Sequence, residues 1–209
     1  MRFLMRIAWC GVVAGLVLST GCSDEQSLSE KYPTQWKTCA ALFGTKNIDS
    51  LRDMLDSEAL KISNPALSVS QLKKGLTKEA LEPYDKRKGF SEYDVCRMSG
   101  NGLFHATVAW SADTLKAVQF YTESWNQVDK DVYVSKNSNI YLVFRCDING
   151  ASTGQQKQVL LGARVTPSDN PRFSAAFHQQ LTVNLTRTLR NELACTNKPN
   201  IPDDLQLNK

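Results

Sequence analysis

The stretch PRFSAAFHQQLTVNLTRTLRNELAC, residues 171–195, carries an apolar side chain at nearly every fourth position. This spacing predicts an amphipathic helix whose apolar stripe faces a core. Asn170 is expected to cap the helix, and Pro171 suits the first turn, where a missing N–H is harmless. Cys195 continues the stripe, so we expect it to face the sheet that carries Cys146. The stripe consists of Phe173, Phe177, Leu181, Leu185, Leu189 and Leu193.

Alternating apolar residues predict the sheet on which this helix packs. In residues 139–148 every second side chain is apolar, which predicts a half-buried strand with Cys146 in the core. The turn signal at residues 99–102 predicts a hairpin between the strands that flank it. The predicted strands are residues 91–98, 103–110, 139–148 and 157–166.

Three further helices are predicted before the sheet. One spans residues 34–44, a second begins at Asn47 as its cap, and a third spans residues 68–81. Residues 113–125 fit either a helix or a strand, and we favour a helix. Together the elements predict an α+β fold, in which an antiparallel sheet of about five strands is flanked by N-terminal helices and a long C-terminal helix.

A weak internal repeat relates two parts of the chain. Either the chain contains a duplicated hairpin, or two hairpins resemble each other because Asn-Gly turns and alternating Tyr and Val are common in hairpins. The second set is Tyr141, Val143, Arg145, Asn149 and Gly150, each 48 positions after its counterpart in the set Tyr93, Val95, Arg97, Asn101 and Gly102.

The N-terminus has the layout of a secretory signal peptide. Arg2 and Arg6 precede a run of 15 uncharged residues, 7–21, which is shorter than the roughly 20 residues of a membrane-spanning helix. Cys22 follows the small residues that end this run, as in a lipobox, where the thiol receives a diacylglycerol before the signal is cut. The alternative is an ordinary signal peptide with a cysteine near its cleavage site.

These features predict three regions. Residues 1–21 are the lipoprotein signal peptide, residues 22–33 are a polar tether, and residues 34–209 form a single α+β extracellular domain. Each buried lipid methylene contributes about 0.8 kcal/mol, and two acyl chains hold far better than one. We therefore expect the lipid on Cys22 to hold the chain at the extracytoplasmic face of the cell membrane.

The charge balance argues against nucleic acid as a partner. The whole chain has a formal net charge of +4, and loss of Arg2 and Arg6 with the signal peptide lowers it to +2. Nucleic acid binding requires a concentrated basic face, which this near-neutral composition does not supply.

Four cysteines besides Cys22 remain after export. An exported chain meets oxidising surroundings, so an even number predicts two disulfides, with three possible pairings. We favour Cys39–Cys96 and Cys146–Cys195, because one partner of each pair is predicted in a helix and the other in a strand. Zinc is disfavoured because no two cysteines have CxxC spacing and the two histidines are remote in sequence. No cofactor is expected.

The two histidines are the candidates for catalysis. His105 lies on the mixed face of its predicted strand and could act as a general base, although a solvated side chain is the expectation. His178 is expected at the surface or the boundary of the last helix. No GxSxG, SxxK, HExxH or P-loop spacing occurs, so no catalytic residue is predicted.

Charged clusters offer two further candidates. The acid pairs Asp129/Asp131 and Asp203/Asp204 lack the spacing of calcium loops, so we expect them in solvated loops. A group of cationic residues in and after the third helix could attract anionic lipids or wall polymers, or it could form an ordinary solvated helix face. This cationic group is Lys73, Lys74, Lys78, Lys86, Arg87 and Lys88.

The chain resembles the small lipoproteins that actinobacteria export. The resemblance rests on the lipobox at Cys22, on a predicted helix that carries Cys39, and on the ending of the chain. It implies a location in the cell envelope and disulfides, and it implies no activity. The ending is Asn191-Glu192-Leu193-Ala194-Cys195, followed by Asn197, Pro199, Ile201 and Pro202.

We therefore expect a membrane-anchored extracytoplasmic lipoprotein that serves as a non-enzymatic binding or interaction module of the cell envelope. Its possible partners are an envelope protein or an anionic polymer, besides the membrane that holds the lipid on Cys22. The alternative is a cell-envelope hydrolase or enzyme accessory factor whose site is assembled from distant residues.

Overall fold

The computed structural model describes residues 27–55, 60–83, 86, 89–136, 140–156, 158–166 and 168–207. The predicted signal peptide and Cys22 lie outside these residues. In chain order the elements are α1 (Leu28–Lys31), α2 (Pro33–Phe43), α3 (Thr45–Leu55), β1 (Lys61–Ile62), α4 (Val69–Leu81), β2 (Tyr93–Gly100), β3 (Gly102–Trp110), α5 (Leu115–Phe120), β4 (Trp125–Asp129), β5 (Val132–Ser135), β6 (Ile140–Phe144), α6 (Thr153–Gln156), β7 (Leu161–Thr166) and α7 (Ala175–Glu192).

One antiparallel sheet forms the framework of the described residues. Its seven strands follow the order β1-β2-β3-β7-β6-β5-β4. The predicted α+β class is confirmed, but the expectation of about five strands is wrong. The two-residue β1 is too short for an alternating pattern, and neither β4 nor β5 alternates between buried and exposed positions. Periodicity therefore gave no signal for these three strands.

The strand predictions hold best for the first hairpin. β2 and β3 pair antiparallel from Tyr93 opposite Val108 to Gly100 opposite Gly102, as expected. The strands predicted over residues 139–148 and 157–166 are shorter, since β6 ends at Phe144 and β7 begins at Leu161. The ambiguous segment 113–125 contains the short helix α5 and ends where β4 begins.

The two sets of the internal repeat begin alike and then differ. Tyr93 and Tyr141 both lie in strands, β2 and β6. β3 starts at Gly102, whereas Gly150 is followed by the short helix α6. The similarity therefore extends over one strand and its turn and not over a second strand.

Helix α7 confirms the predicted long C-terminal helix but begins later than expected. Its cap is Ser174, whose hydroxyl accepts a hydrogen bond from the backbone N–H of Phe177 at 3.1 Å. Asn170 does not cap it, because the helix begins only at Ala175. The side-chain oxygen of Asn170 instead accepts from the backbone N–H of Arg172 at 2.9 Å, and its amide donates to the backbone oxygens of Met54 at 2.7 Å and Asn101 at 2.9 Å. Asn170 thus ties the end of α3 to the turn between β2 and β3 instead of starting the helix.

Four helices cover one face of the sheet, and their apolar side chains form the main core with those of the strands. Helix α4 starts close to the predicted position and follows a capping box of Ser68 and Gln71, which was not among the sequence predictions. Helix α3 begins at Thr45, so the expectation that Asn47 caps it is wrong. Asn47 is buried in the first turn and donates to the backbone oxygen of Phe43 at 2.7 Å. The four helices are α2, α3, α4 and α7.

A short helix occupies part of the segment expected to be a polar tether. In α1 the backbone N–H of Ser27 donates to Glu30 at 2.9 Å, which closes a capping box. Leu28 and Tyr32 pack against the main core. Residues 27–33 therefore differ from the expected solvated tether, because two apolar side chains in this segment find a place on the domain.

The C-terminal tail runs from α7 across the domain. Ile201 is 1% exposed and Leu205 is fully buried, so the tail contributes to the core. Arg187 holds it by donating from Nη2 to the backbone oxygen of Ile201 at 2.6 Å. At the far end, Asn126 of β4 donates to the backbone oxygen of Gln206 at 3.3 Å.

Two disulfides join the helical layer to the sheet, and the favoured pairing is confirmed. Cys39 of α2 is bonded to Cys96 of β2, with the two Cα atoms 5.4 Å apart. Cys146, just after β6, is bonded to Cys195, just after α7, with the Cα atoms 4.9 Å apart. One bond holds each half of the sheet, because β2 and β6 lie on opposite sides of β7.

Replacing the first pair, Cys39→Ser with Cys96→Ser, should lower the free energy of unfolding by about 4 kcal/mol, since the bond closes a loop of 57 residues. Urea unfolding without reductant measures the change. In reductant the variant and the parent should unfold at more similar urea concentrations, because the parent then lacks the same bond. A loss below about 1 kcal/mol without reductant would contradict the prediction.

Candidate functional site

Strand alternation gives the sheet two unlike faces. Side chains such as Val108 and Val165 point into the main core under the four helices, so their neighbours along each strand point to the opposite face, here called the open face. Helix α5 covers one end of the open face, where Val118 packs with Tyr133 and Val143. The open face over β3 and β7 carries polar residues.

Four polar side chains form a row across the open face. Asp94 of β2 pairs with Thr107 of β3, and Thr107 pairs with Arg164 of β7. Arg164 in turn pairs with Tyr141 of β6. Directly opposed residues in antiparallel strands have Cβ atoms about 4.5–5.5 Å apart. The register thus brings together residues that are distant in the sequence.

A cleft of about 530 Å³ opens on this row, within the range of about 300–1,000 Å³ that is usual for small-molecule sites. The loop before β2 forms its other wall. The lining combines one cation, one carboxylate, hydroxyl groups and aromatic rings. Its polar and aromatic lining includes Phe90, Glu92, Thr107, Ser111, Tyr141 and Arg164.

The cation of the cleft lies over an aromatic ring. The guanidinium carbon of Arg164 is 4.6 Å from the centroid of the Tyr141 ring, a cation–π contact. Arg164 is nevertheless exposed. Neither Arg164 nor Glu92 forms an ion pair with any residue that the structure describes. The cleft therefore holds opposite charges that do not neutralise each other.

Tyr141 is fixed between Arg164 and the backbone of β7. Gly162 makes this possible, because a Cβ at that position would lie 2.7 Å from Cε2 and 2.8 Å from Cζ of Tyr141. Burial raises the pKa of the Tyr141 hydroxyl, while its hydrogen bond with Ser111 and the charge of Arg164 act in the opposite direction. The hydroxyl is therefore protonated at neutral pH and is available as a donor.

A second polar cluster lies beside the row on β2 and β3. The register shifts between Asp94 and Cys96, and the extra residue lets Asp94 and Arg97 reach the same face although they are three positions apart. Arg97 Nε lies 3.0 Å from Asp94 Oδ2, an ion pair. Arg97 also pairs across the strands with His105.

His105 has two competing partners in this cluster. Its Nε2 is 2.9 Å from Nη2 of Arg97 and 3.2 Å from Oδ1 of Asp94. Without a proton, Nε2 accepts from Arg97; with a proton, it donates to Asp94. The His105 side chain is 24% exposed, so it is partly solvated and partly enclosed by these two partners. No serine, threonine or cysteine among the described residues hydrogen-bonds to His105.

His178 lies on the other side of the sheet and is not part of the cleft. The expectation of a surface or boundary residue is wrong, since His178 is 5% exposed. Its Nε2 lies 2.6 Å from the backbone oxygen of Val165 and donates to it, which ties α7 to β7. Burial lowers the pKa of His178, and the hydrogen bond to Val165 opposes this effect. His178 therefore has a structural role in holding α7 against β7.

The acidic pairs have protein partners. Asp129, Asp131, Asp203 and Asp204 each contact a side chain or a backbone N–H, and no group of three potential metal ligands occurs among the described residues. The respective partners are Asn200 at 2.9 Å, Arg145 at 3.5 Å, Arg187 at 2.7 Å and the backbone N–H of Gln206 at 2.8 Å.

Part of the predicted cationic group lines a shallow groove on α4. Leu81, an apolar residue of the same groove, is 46% exposed. None of the lysines of the group forms an ion pair within the described part of the chain. The groove residues of the group are Lys73, Lys74 and Lys78; Lys86 is exposed, and Arg87 and Lys88 lie outside the described residues.

Sequence reasoning missed Arg164, Tyr141 and Glu92. The alternation in residues 157–166 did contain a signal, because apolar side chains at every second position leave Arg164 on the opposite face. The pairing of β3 with β7, however, joins strands that are far apart in the sequence. Neither periodicity nor motif spacing predicts such a pairing.

Comparisons with protein-family models, with curated proteins and with solved structures found no match to this chain. The function is therefore argued from the geometry of the site. Within the described ranges, no helix is long and apolar enough to cross a membrane.

The substitution Gly162→Ala should displace the Tyr141 ring and lower the free energy of unfolding by about 1–3 kcal/mol, because the added methyl group overlaps the ring. Gly89→Ala is the control, since Gly89 lies outside helices and strands and nothing lies within 4 Å of the Cβ it would gain. Urea unfolding of both variants measures the difference. Equal stability of the two variants would contradict the proposed packing of Tyr141.

The stability of the protein should fall as the pH drops below about 6.5, partly because of His178. Its pKa is lowered in the folded state, so the unfolded chain binds the proton more readily and acid favours unfolding. His178→Gln should reduce this pH dependence, whereas His105→Gln serves as the control on the open face. Urea midpoints at pH 7.5 and pH 5 provide the measurement. If the urea midpoint of His178→Gln depends on pH as strongly as that of the parent protein, His178 is not a source of the pH dependence.

Proposed function

We propose that the protein is a membrane-anchored extracytoplasmic lipoprotein that binds a ligand in the cleft of its open face. The observation that carries this proposal is the pair of unneutralised charges, Arg164 and Glu92, in one cleft. A concave site with a few convergent polar groups is the usual form of a small-molecule site. The cleft holds charged, hydroxyl and aromatic groups around an opening of suitable size.

The membrane anchor is supported by the sequence. Cys22 follows an apolar leader and precedes Ser27, the first described residue, by five positions. Five residues span at most about 18 Å. A lipid on Cys22 would therefore keep the domain close to the bilayer, within reach of ligands at the envelope surface.

The lysine groove on α4 supports an envelope partner as a further part of the proposal. Lys73, Lys74 and Lys78 line one surface together with Leu81. Such a surface suits an anionic polymer or an acidic envelope protein, since clustered unpaired cations attract anions near a membrane.

The alternative function is a cell-envelope hydrolase. The contact between His105 and Asp94 favours it, because a carboxylate beside a histidine is an element of acid–base catalysis. Two observations favour binding instead. Arg97 also contacts the same Nε2 of His105, and no described nucleophile hydrogen-bonds to this ring, as nucleophilic catalysis requires.

Intact-mass measurement of membrane-extracted protein tests the anchor. The parent protein should begin at Cys22 and carry the added mass of a diacylglyceryl group. Cys22→Ser should lose that mass, because serine has no thiol to acylate. Cys10→Ser is the matched control and should keep it, since Cys10 lies within the leader. An unmodified parent, or a mature chain that begins at another residue, would remove the basis for the anchor.

A further inference from the structure

We propose that the cleft of the open face binds a small zwitterion, with the anionic group of the ligand on Arg164 and its cationic nitrogen near Glu92. This inference rests on the proposed binding function and adds the chemical class of the ligand. It follows from charge, exposure and packing at the cleft.

Arg164 is prepared to bind an anion. Its guanidinium carbon lies 4.6 Å from the centroid of the Tyr141 ring, a contact that restrains the side chain. Its N–H groups form no ion pair with a carboxylate among the described residues. A fixed guanidinium presents a fork of donors that matches a carboxylate or a phosphate. Thr107, the cross-strand neighbour of Arg164, adds a hydroxyl beside it.

Glu92 supplies the opposite charge within the same cleft. It is exposed and lines the opening together with Arg164, yet the two side chains do not pair. A ligand that carries only negative charge would be repelled by Glu92 and by Asp113, both of which act on the Tyr141 hydroxyl through their charges. A ligand with separated positive and negative groups satisfies both Arg164 and Glu92.

The rest of the lining suits a small apolar body. Phe90, Ala109 and Val159 contribute apolar surface to the cleft. Two kinds of molecule combine such a body with the required charges. One is a free amino acid or the end of a short peptide, which offers a carboxylate. The other is a phosphate ester with an ammonium group, as in a lipid headgroup. The shared chemistry is an anion and a cationic nitrogen on one small molecule.

Equilibrium dialysis of the full mature lipoprotein in detergent against four radiolabelled probes tests this inference. The zwitterions are L-phenylalanine and phosphoethanolamine, which separate a carboxylate from a phosphate. N-acetyl-L-phenylalanine lacks the cation, and L-phenylalaninamide lacks the anion. We expect at least one zwitterion to bind. If L-phenylalanine is that ligand, both of its derivatives should bind about tenfold or more weakly.

Two variants assign the charges. Arg164→Gln should weaken the affinity for the zwitterion that binds by about tenfold or more. Glu92→Gln should abolish the difference in affinity between L-phenylalanine and its N-acetyl derivative. Lys37→Gln on α2 and Glu123→Gln are controls that make the same changes in charge away from the cleft, and they should leave affinity unchanged.

Three results would overturn the inference. They are no binding of either zwitterion by the parent protein, no effect of Arg164→Gln on the zwitterion that binds, or, where L-phenylalanine binds, equal affinity for L-phenylalanine and its N-acetyl derivative. Equal affinity that Arg164→Gln abolishes would mean that the cleft binds simple anions, which leaves the proposed binding function standing. The intact mass of the membrane-extracted protein shows separately whether Cys22 carries a lipid, so failure of the proposed anchor is distinguished from failure of ligand binding.

Discussion

Two covalent bonds between helices and strands hold the helical layer on one face of the sheet. Cys39–Cys96 and Cys146–Cys195 hold α2 and the end of α7 against opposite halves of the sheet. The apolar side chains that alternate along strands such as β3 and β7 point toward that layer. The other face carries polar residues over β3 and β7, and an apolar cluster where α5 packs on Tyr133 and Val143.

The cleft follows from that division and from the sheet register. No single segment contains it, because Glu92, Thr107, Tyr141 and Arg164 come from four parts of the chain. Thr107, Tyr141 and Arg164 point to the open face because of the alternation of side chains along their strands. Glu92 belongs to the loop before β2. Gly162 completes the arrangement by letting the Tyr141 ring lie against β7. Packing on the buried face thus positions charge on the exposed one.

Local patterns predicted the parts of the fold that have a regular period. These patterns predicted the apolar stripe of α7, the hairpin of β2 and β3, and the elements from which both disulfide pairings were inferred. The cap of α7 could not be predicted in this way, because Asn170 and Ser174 are equally good caps and tertiary hydrogen bonds occupy Asn170. The cleft could not be predicted from the sequence, because its formation also depends on long-range contacts. It depends on β7 inserting between β3 and β6, a long-range choice that leaves no local period.

The order of the strands has a consequence for the kinetics of folding. β1 to β3 and β4 to β6 form two local groups, and β7 is the last strand to be synthesised although it lies between them. Each group can assemble as it emerges, but the two halves remain separate sheets until β7 is inserted. Long-range insertion of this kind is slow compared with hairpin formation. Arg164 lies on that strand, so the row of side chains on the exposed face requires β7 to be in place between β3 and β6.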